Sequence, residues 1–361
     1  MMYEYLLLFI LFAICIILIT LAIYYIIYYS FDNINIGNNV YYMSADETSK
    51  FLKEDKDKYI SNLSSYDLYA RNMPTTKKYL ETIQQLSSSF TGKDMEILNN
   101  CTTIADDLLR NIKTNDMNEI GYARYINFKD IANIKWVFSK TNIINSARIY
   151  SDDSEDSEDS EDNKDNKDNK DNKDNKDNKD SEDNKDNKDS EDNKDNKDNK
   201  DNKDNKDNEE NNKELSYENG LPHTRKNIIF LSDKVLINDE DELIKILIHE
   251  KIHIYQRNNE DLFKSIIINM GYIEVTEDMI LNDSELAKQV KYRRSNPDIN
   301  KKIYKNTLTN KISICFYKND KPSSISDVSG NYYNEHPYEE IAYELSEHIY
   351  KKNKIEKYKN I

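Results

Sequence analysis

From residue 44 onward, apolar positions recur every three or four residues in long runs, the period of helices that bury one face. "SADETSKFLKEDKDKYISNL" opens with Ser44 and Asp46 as capping residues, "TTKKYLETIQQL" follows Pro74, and "TGKDMEILNNCTTIADDLLRN" starts at a Thr-Gly break. "INFKDIANIKWVFSK" (126–140) keeps the same period and carries the only tryptophan, Trp136, so it reads as a further amphipathic helix. "NIIFL", after the Asn-Gly and Pro of "YENGLPHTR", has the short apolar form of a strand, as does "KISICFY" (311–317). "NDEDELIKILIHEKIHIYQRNNE" is a helix with Asn238 or Asp239 as cap and acids in its first turn. "HPYEEIAYELSEHIYKKNK" closes the chain as a helix, with Pro337 in its first turn and lysines in its last. The expected fold class is α+β, mostly helical, with a small sheet.

Two stretches break this pattern in opposite directions. Leu6 to Ile27 carries no charge, with Tyr3 and Tyr5 at one end and Tyr24, Tyr25, Tyr28 and Tyr29 at the other. As a helix, a run of about 20 such residues spans roughly 30 Å, the hydrocarbon thickness of a bilayer, with an aromatic belt at each face. Residues 1–30 therefore read as a transmembrane anchor touching lipid through residues 5–29, which makes the chain a single-pass membrane protein. Lysines follow the anchor (Lys50, Lys53, Lys56, Lys58) and none precedes it, which leans toward a cytosolic C-terminal part. The cysteines agree: outside the anchor only Cys101 and Cys315 remain, too few for a disulfide framework.

Residues 151–212 are the reverse case, built from S-E-D and D-N-K triplets. Positions 151–210 hold 27 acids and 13 lysines, a net of −14 out of −16 for the whole chain. The acidic balance thus belongs to the insert, which has nothing apolar to bury and is expected to be a disordered linker. No nucleic-acid partner is expected. The division is then an anchor (1–30), a helical N-terminal region (31–114), an acidic insert (151–212), and one domain formed by 115–150 and 213–361.

The chemistry concentrates in "LIHEKIHIYQR" (247–257). A shuffled chain with only five histidines would contain H-E-x-x-H about 0.005 times. At about 100° per residue, His249 and His253 stand side by side one turn apart, and Glu250 lies on the flank of the apolar stripe. Two neutral imidazoles suit Zn²⁺, and a neighbouring carboxylate suits a general base that takes a proton from water and passes it to a leaving amine. Lys251 falls within the apolar arc, where its stem packs and its head is expected to reach solvent. A third imidazole ten residues beyond His249 is excluded, since Asn259 stands there and Gln256 replaces the necessary glycine. A glutamate is left as third ligand. Glu274, Glu277 and Glu285 lie at short spacing. In the closing helix, Glu339 borders the apolar face beside Ala342 and Ser346, while Glu340 joins Glu344 and Glu347 on the wet side, so helix phase selects Glu339.

H-E-x-x-H followed by I-Y-Q-R, then a distant H-P-Y-E-x-x-A-Y, resembles the gluzincin type of zinc metallopeptidase. More narrowly, it is similar to metallopeptidases predicted from genomes of giant DNA viruses, over residues 115–150 and 216–350, with "YENGLPHTR" and "RRSNPDINKKIY" contributing. The resemblance implies a zincin-like catalytic domain that hydrolyses protein or peptide substrates. Zn²⁺ would be held by His249, His253 and Glu339, with Glu250 as general base. It also implies that "NIIFLSD" is an edge strand binding extended substrate. Gluzincins often place an acid four residues after the third ligand; here Tyr343 stands there. His223, His336, Tyr332, Tyr333 and Arg294 are candidate transition-state donors. The alternative is a non-catalytic zincin-fold scaffold of a membrane or virion, which would have no need of Glu250.

Overall fold

The structure is a computed structural model that describes residues 40–113, 117–145, 214–330 and 335–359. At its centre a short mixed sheet runs between two helical layers. Its strands are β1 (Val40–Tyr42), β2 (Ser87–Ser88), β3 (Trp136–Thr141), β6 (His223–Arg225) and β7 (Ile228–Ser232), while β4 (Ile143–Asn145) and β5 (Glu214–Ser216) form a separate antiparallel pair. β1 and β7 lie parallel to β3 on its two sides, β6 is antiparallel to β7, and β2 pairs with the end of β3. The strand period of two shows in the burial. Ile229 and Leu231 face one layer and Phe230 the other, as successive residues on a pleated strand must.

The layer under Ile229 and Leu231 holds the helices Gly92–Asn111, Glu240–Asn258 and Pro337–Lys359. The opposite layer, against Phe230, holds Ala45–Glu54 and Thr76–Gln85, which bury Leu52, Tyr79 and Ile83. Local chemistry starts these helices where the sequence says. Ser44 and Thr91 complete capping boxes with Glu47 and Asp94, and the Asp239 carboxylate accepts the Glu242 N–H at 2.8 Å.

Several expectations are corrected. The described part of the chain is not a mostly helical α+β protein with a zincin-like domain. It is mixed α/β, about half helical, and no zincin fold is shown. Part of the reason is local: 126–140 divides into a short helix, Phe128–Asn133, and the strand β3, because Trp136, Val137 and Phe138 favour a pleated surface. The other part is long-range. The N-terminal helical region is built into the same fold, since it supplies β1 to the sheet and is fastened by buried ion pairs, Arg71 Nε to Glu218 at 3.0 Å and Asp55 to Arg225 at 2.7 Å. "NIIFLSD" is not an edge, because β7 lies between β3 and β6. The single-pass membrane assignment is corrected to what the structure shows: among the described residues no helix is long and apolar enough to cross a membrane. The expected anchor (1–30) and acidic insert (151–212) lie outside the described residues.

Candidate metal centre

The helix Glu240–Asn258 is apolar on most of its circumference and buries Leu243, Leu247, Ile248, Ile252 and Ile254. Histidines spaced by four then share the remaining strip. Their Nε2 atoms are 3.0 Å apart and their rings meet edge to face. The closing helix packs in the same core through Ile341, Ala342, Leu345 and Ile349, all fully buried. That packing brings Glu339 over the histidines, with Oε2 3.4 Å from each Nε2. Glu340, one residue on, instead accepts a hydrogen bond from the Tyr272 hydroxyl at 2.5 Å. Glu274 is exposed and paired with Lys302 at 2.6 Å, and Glu277 and Glu285 are exposed in the first turns of two other short helices; none of the three reaches the site.

Three donor atoms at 3.0, 3.4 and 3.4 Å from one another fit a tetrahedral ion. With bonds of 2.0–2.1 Å, the edge of such a tetrahedron is about 3.3 Å. The tautomers fit as well. Gln256 donates through its amide nitrogen to the Tyr338 carbonyl at 2.9 Å, which turns its oxygen toward His253 Nδ1 at 2.8 Å. His253 therefore carries its proton on Nδ1 and offers the Nε2 lone pair to the centre. Gln256 stands where sequence reasoning looked only for a glycine. His249 is held differently, by the Tyr343 ring packed on it with centroids 4.3 Å apart, and its buried Nδ1 has no hydrogen-bond partner among the described residues.

The electrostatics are those of a site short of positive charge. Burial would raise the Glu339 carboxyl, but the two imidazoles outweigh it and hold the group well below the ordinary range. Burial would lower His253, but Glu339 pushes it up to about 9, whereas burial prevails at His249 and lowers it. Glu250 is buried, which together with the negative charges of Asp298 and Glu339 pushes its carboxyl well above the usual value. Its Oε2 has no hydrogen-bond partner among the described residues, and it lines a cavity of about 280 Å³ together with His249, Glu339, Tyr343, His223 and Asp298.

The expected donors are distributed unevenly. His223 reaches the cavity, but Nδ1 lies 3.0 Å from the Leu221 carbonyl, an acceptor only. Neutral His223 thus carries its proton on Nδ1, and its Nε2 is an acceptor. Arg294 also lines the cavity and is engaged by Glu335 at 2.6 and 2.7 Å. His336 is buried behind the site, where Nδ1 accepts the Tyr338 N–H at 3.0 Å and Nε2 faces Asn300 at 3.1 Å. Tyr332 and Tyr333 lie outside the described residues.

Sequence reasoning gave no role to Asn296, Asp298 and Glu335, which form the third wall of the cavity. The available signal was the Asn-Pro-Asp turn and the four-residue spacing of Glu335 and Glu339. It also sent the Lys251 ammonium to solvent. That group is fully buried, 2.5 Å from Asp106 and 3.9 Å from the centroid of the Trp136 ring. No protein-family model, no curated protein and no solved structure matches the chain.

Proposed function

We propose that the chain is a zinc-dependent hydrolase of peptide bonds, with His249, His253 and Glu339 as metal ligands and Glu250 as general base. The observation that carries this reading is the convergence of three buried donor atoms beside a cavity that a fourth buried group, the Glu250 carboxyl, also lines. A structural zinc site is closed by four protein ligands, whereas a catalytic one keeps a position open to a cavity. Among the described residues the group has three members. Zinc bound there would supply a Lewis acid that polarises a carbonyl and lowers the pKa of water. Glu250 would take the proton of the attacking water and deliver it to the leaving nitrogen. Its raised proton affinity suits the first half of that transfer, in which the carboxylate takes up the proton of the water. Gln256 and Tyr343 keep the two imidazoles in place while this happens.

The test is metal analysis joined to one substitution. The chain should bind one zinc, and His249→Ala or His253→Ala should abolish binding. Glu250→Gln should keep the metal and lose at least about 100-fold in hydrolysis of a mixed peptide library, the scale of a lost general base. Less than a tenth of an equivalent of zinc in the wild-type chain would end the reading. Undiminished hydrolysis by Glu250→Gln would move the base elsewhere.

A further inference from the structure

We infer that Asn296 is a positioning residue that confines Glu339 to one-oxygen coordination of the metal; the inference rests on the zinc reading above. The segment "RRSNPD" prepares it locally. Pro297 restricts Asn296 to extended backbone, and the next N–H, that of Asp298, turns back onto the Asn296 side-chain oxygen at 2.8 Å. This bond settles which end of the amide is which, because only the oxygen can accept. The amide nitrogen therefore faces inward with two hydrogens to donate. One reaches Glu339 Oε1 at 2.8 Å, and the other reaches Glu335 Oε1.

Glu335 and Glu339 are four residues apart and buried side by side, an arrangement that would push the second carboxylate off the first. Arg294 removes the conflict. Its Nη2 lies 2.6 and 2.7 Å from the two oxygens of Glu335, so that carboxylate is neutralised and kept from competing as a ligand. With Oε1 tied to Asn296, only Oε2 of Glu339 is turned toward the two imidazoles, 3.4 Å from each. A carboxylate free at both oxygens can chelate and fill the position a substrate needs. One tied at Oε1 leaves that position open. Arg294 and Glu335 thus act on the centre through Asn296, as a brace.

The experiment uses the full chain with Zn²⁺ or Co²⁺ alone as probe, and compares Asn296→Ala and Asn296→Asp with wild type. Loss of such a partner typically weakens metal binding about 10–100-fold, which is expected for Asn296→Ala, with a larger loss for Asn296→Asp because it sets a third carboxylate against the other two. The Co²⁺ d–d bands, strong in four-coordinate sites, should fall at least about two-fold in Asn296→Ala as Glu339 becomes bidentate. The metal-free melting temperature of Asn296→Ala should stay within about 3 °C of wild type. If Asn296→Ala binds zinc as wild type does and shows an unchanged Co²⁺ spectrum, the positioning role is wrong while the zinc reading stands. A weakened metal affinity that only tracks a melting temperature lowered by more than about 5 °C assigns Asn296 to folding and also overturns the role. A wild-type chain that binds neither ion overturns the zinc reading itself.

Discussion

Lys251 sits between the two histidines in sequence but on the opposite side of their helix, and replacing it tests what holds that helix in place. Its ammonium is fully buried, 2.5 Å from Asp106 Oδ1, 2.9 Å from the Ala132 carbonyl and 3.9 Å from the Trp136 ring centroid. Burial pulls its pKa down to about 8, so it remains charged at pH 7. Lys251→Met fills the same space and removes the charge, leaving Asp106 buried with Trp136 Nε1 at 3.2 Å and the half-exposed Arg110 at 3.6 Å. Breaking a buried pair typically costs about 3–5 kcal/mol, and the two remaining partners place this case near about 3. In a domain of this size that corresponds to a fall of about 6–12 °C in melting temperature. Combining Lys251→Met with Asp106→Asn removes the stranded charge and keeps an acceptor for Trp136, so it should recover about half of the loss or more. Urea unfolding of the two single variants and the double variant closes the cycle. A single variant within about 0.5 kcal/mol of wild type, or a double variant no better than Lys251→Met, would refute the reasoning.

Other outcomes follow from the same geometry. Glu339→Ala should weaken zinc binding by orders of magnitude, whereas Glu340→Ala, which loses only a hydrogen bond from Tyr272, should keep zinc and cost about 1 kcal/mol; isothermal titration reads the difference, and the reverse pattern would mean that the closing helix is turned by a residue. Deleting 151–210 should leave zinc binding and melting temperature nearly unchanged, because closing a shorter loop changes its entropic cost by only about 0.6 kcal/mol per halving; a drop of 10 °C or so would show that the insert is structural. His336 is held neutral by burial, with its pKa lowered to about 3 against an ordinary 6.5. The unfolded chain takes up a proton below pH 6.5 that the folded chain refuses, so this residue's contribution falls as pH drops from 6.5 toward 3, at up to about 1.4 kcal/mol per unit. Urea titrations at pH 6.5 and 5 should show a shallower loss in His336→Asn, and equal slopes would count against the assignment.

What the sequence disclosed is what neighbours in the chain can decide. A carboxylate at a helix start, as at Asp239, is visible because its partner lies three residues away. Glu339 and Glu340 differ by about 100° around one axis, so phase alone distinguishes the side that the structure turns to the histidines from the side it turns to Tyr272. The sheet was not legible in this way. β1 and β7 meet β3 from almost a hundred residues away on either side, and no local pattern records such pairings. Trp136 was misplaced because a short helix runs directly into a strand and the two periods overlap within one window. Lys251 was sent to solvent because the groups that let it stay inside, Asp106, the Ala132 carbonyl and the Trp136 ring, lie more than a hundred residues away in the chain.

The β4–β5 pair has a further consequence. It sets Asn145 opposite Glu214 and Ile143 opposite Ser216, so the chain leaves for its acidic repeat and returns at the same place. Either side of that gate is half a protein. Residues 40–145 carry β1, β2, β3 and Asp106, and residues 214–359 carry β6, β7, the motif helix and every proposed ligand. The β3–β7 seam and the Arg71–Glu218, Asp55–Arg225 and Asp106–Lys251 ion pairs all cross from one half to the other. The covalent link between them should therefore be dispensable for recognition. Expressed as two separate polypeptides, the halves should find each other and rebuild one molecule, with metal binding regained only on mixing, which would make the chain a ready-made split protein.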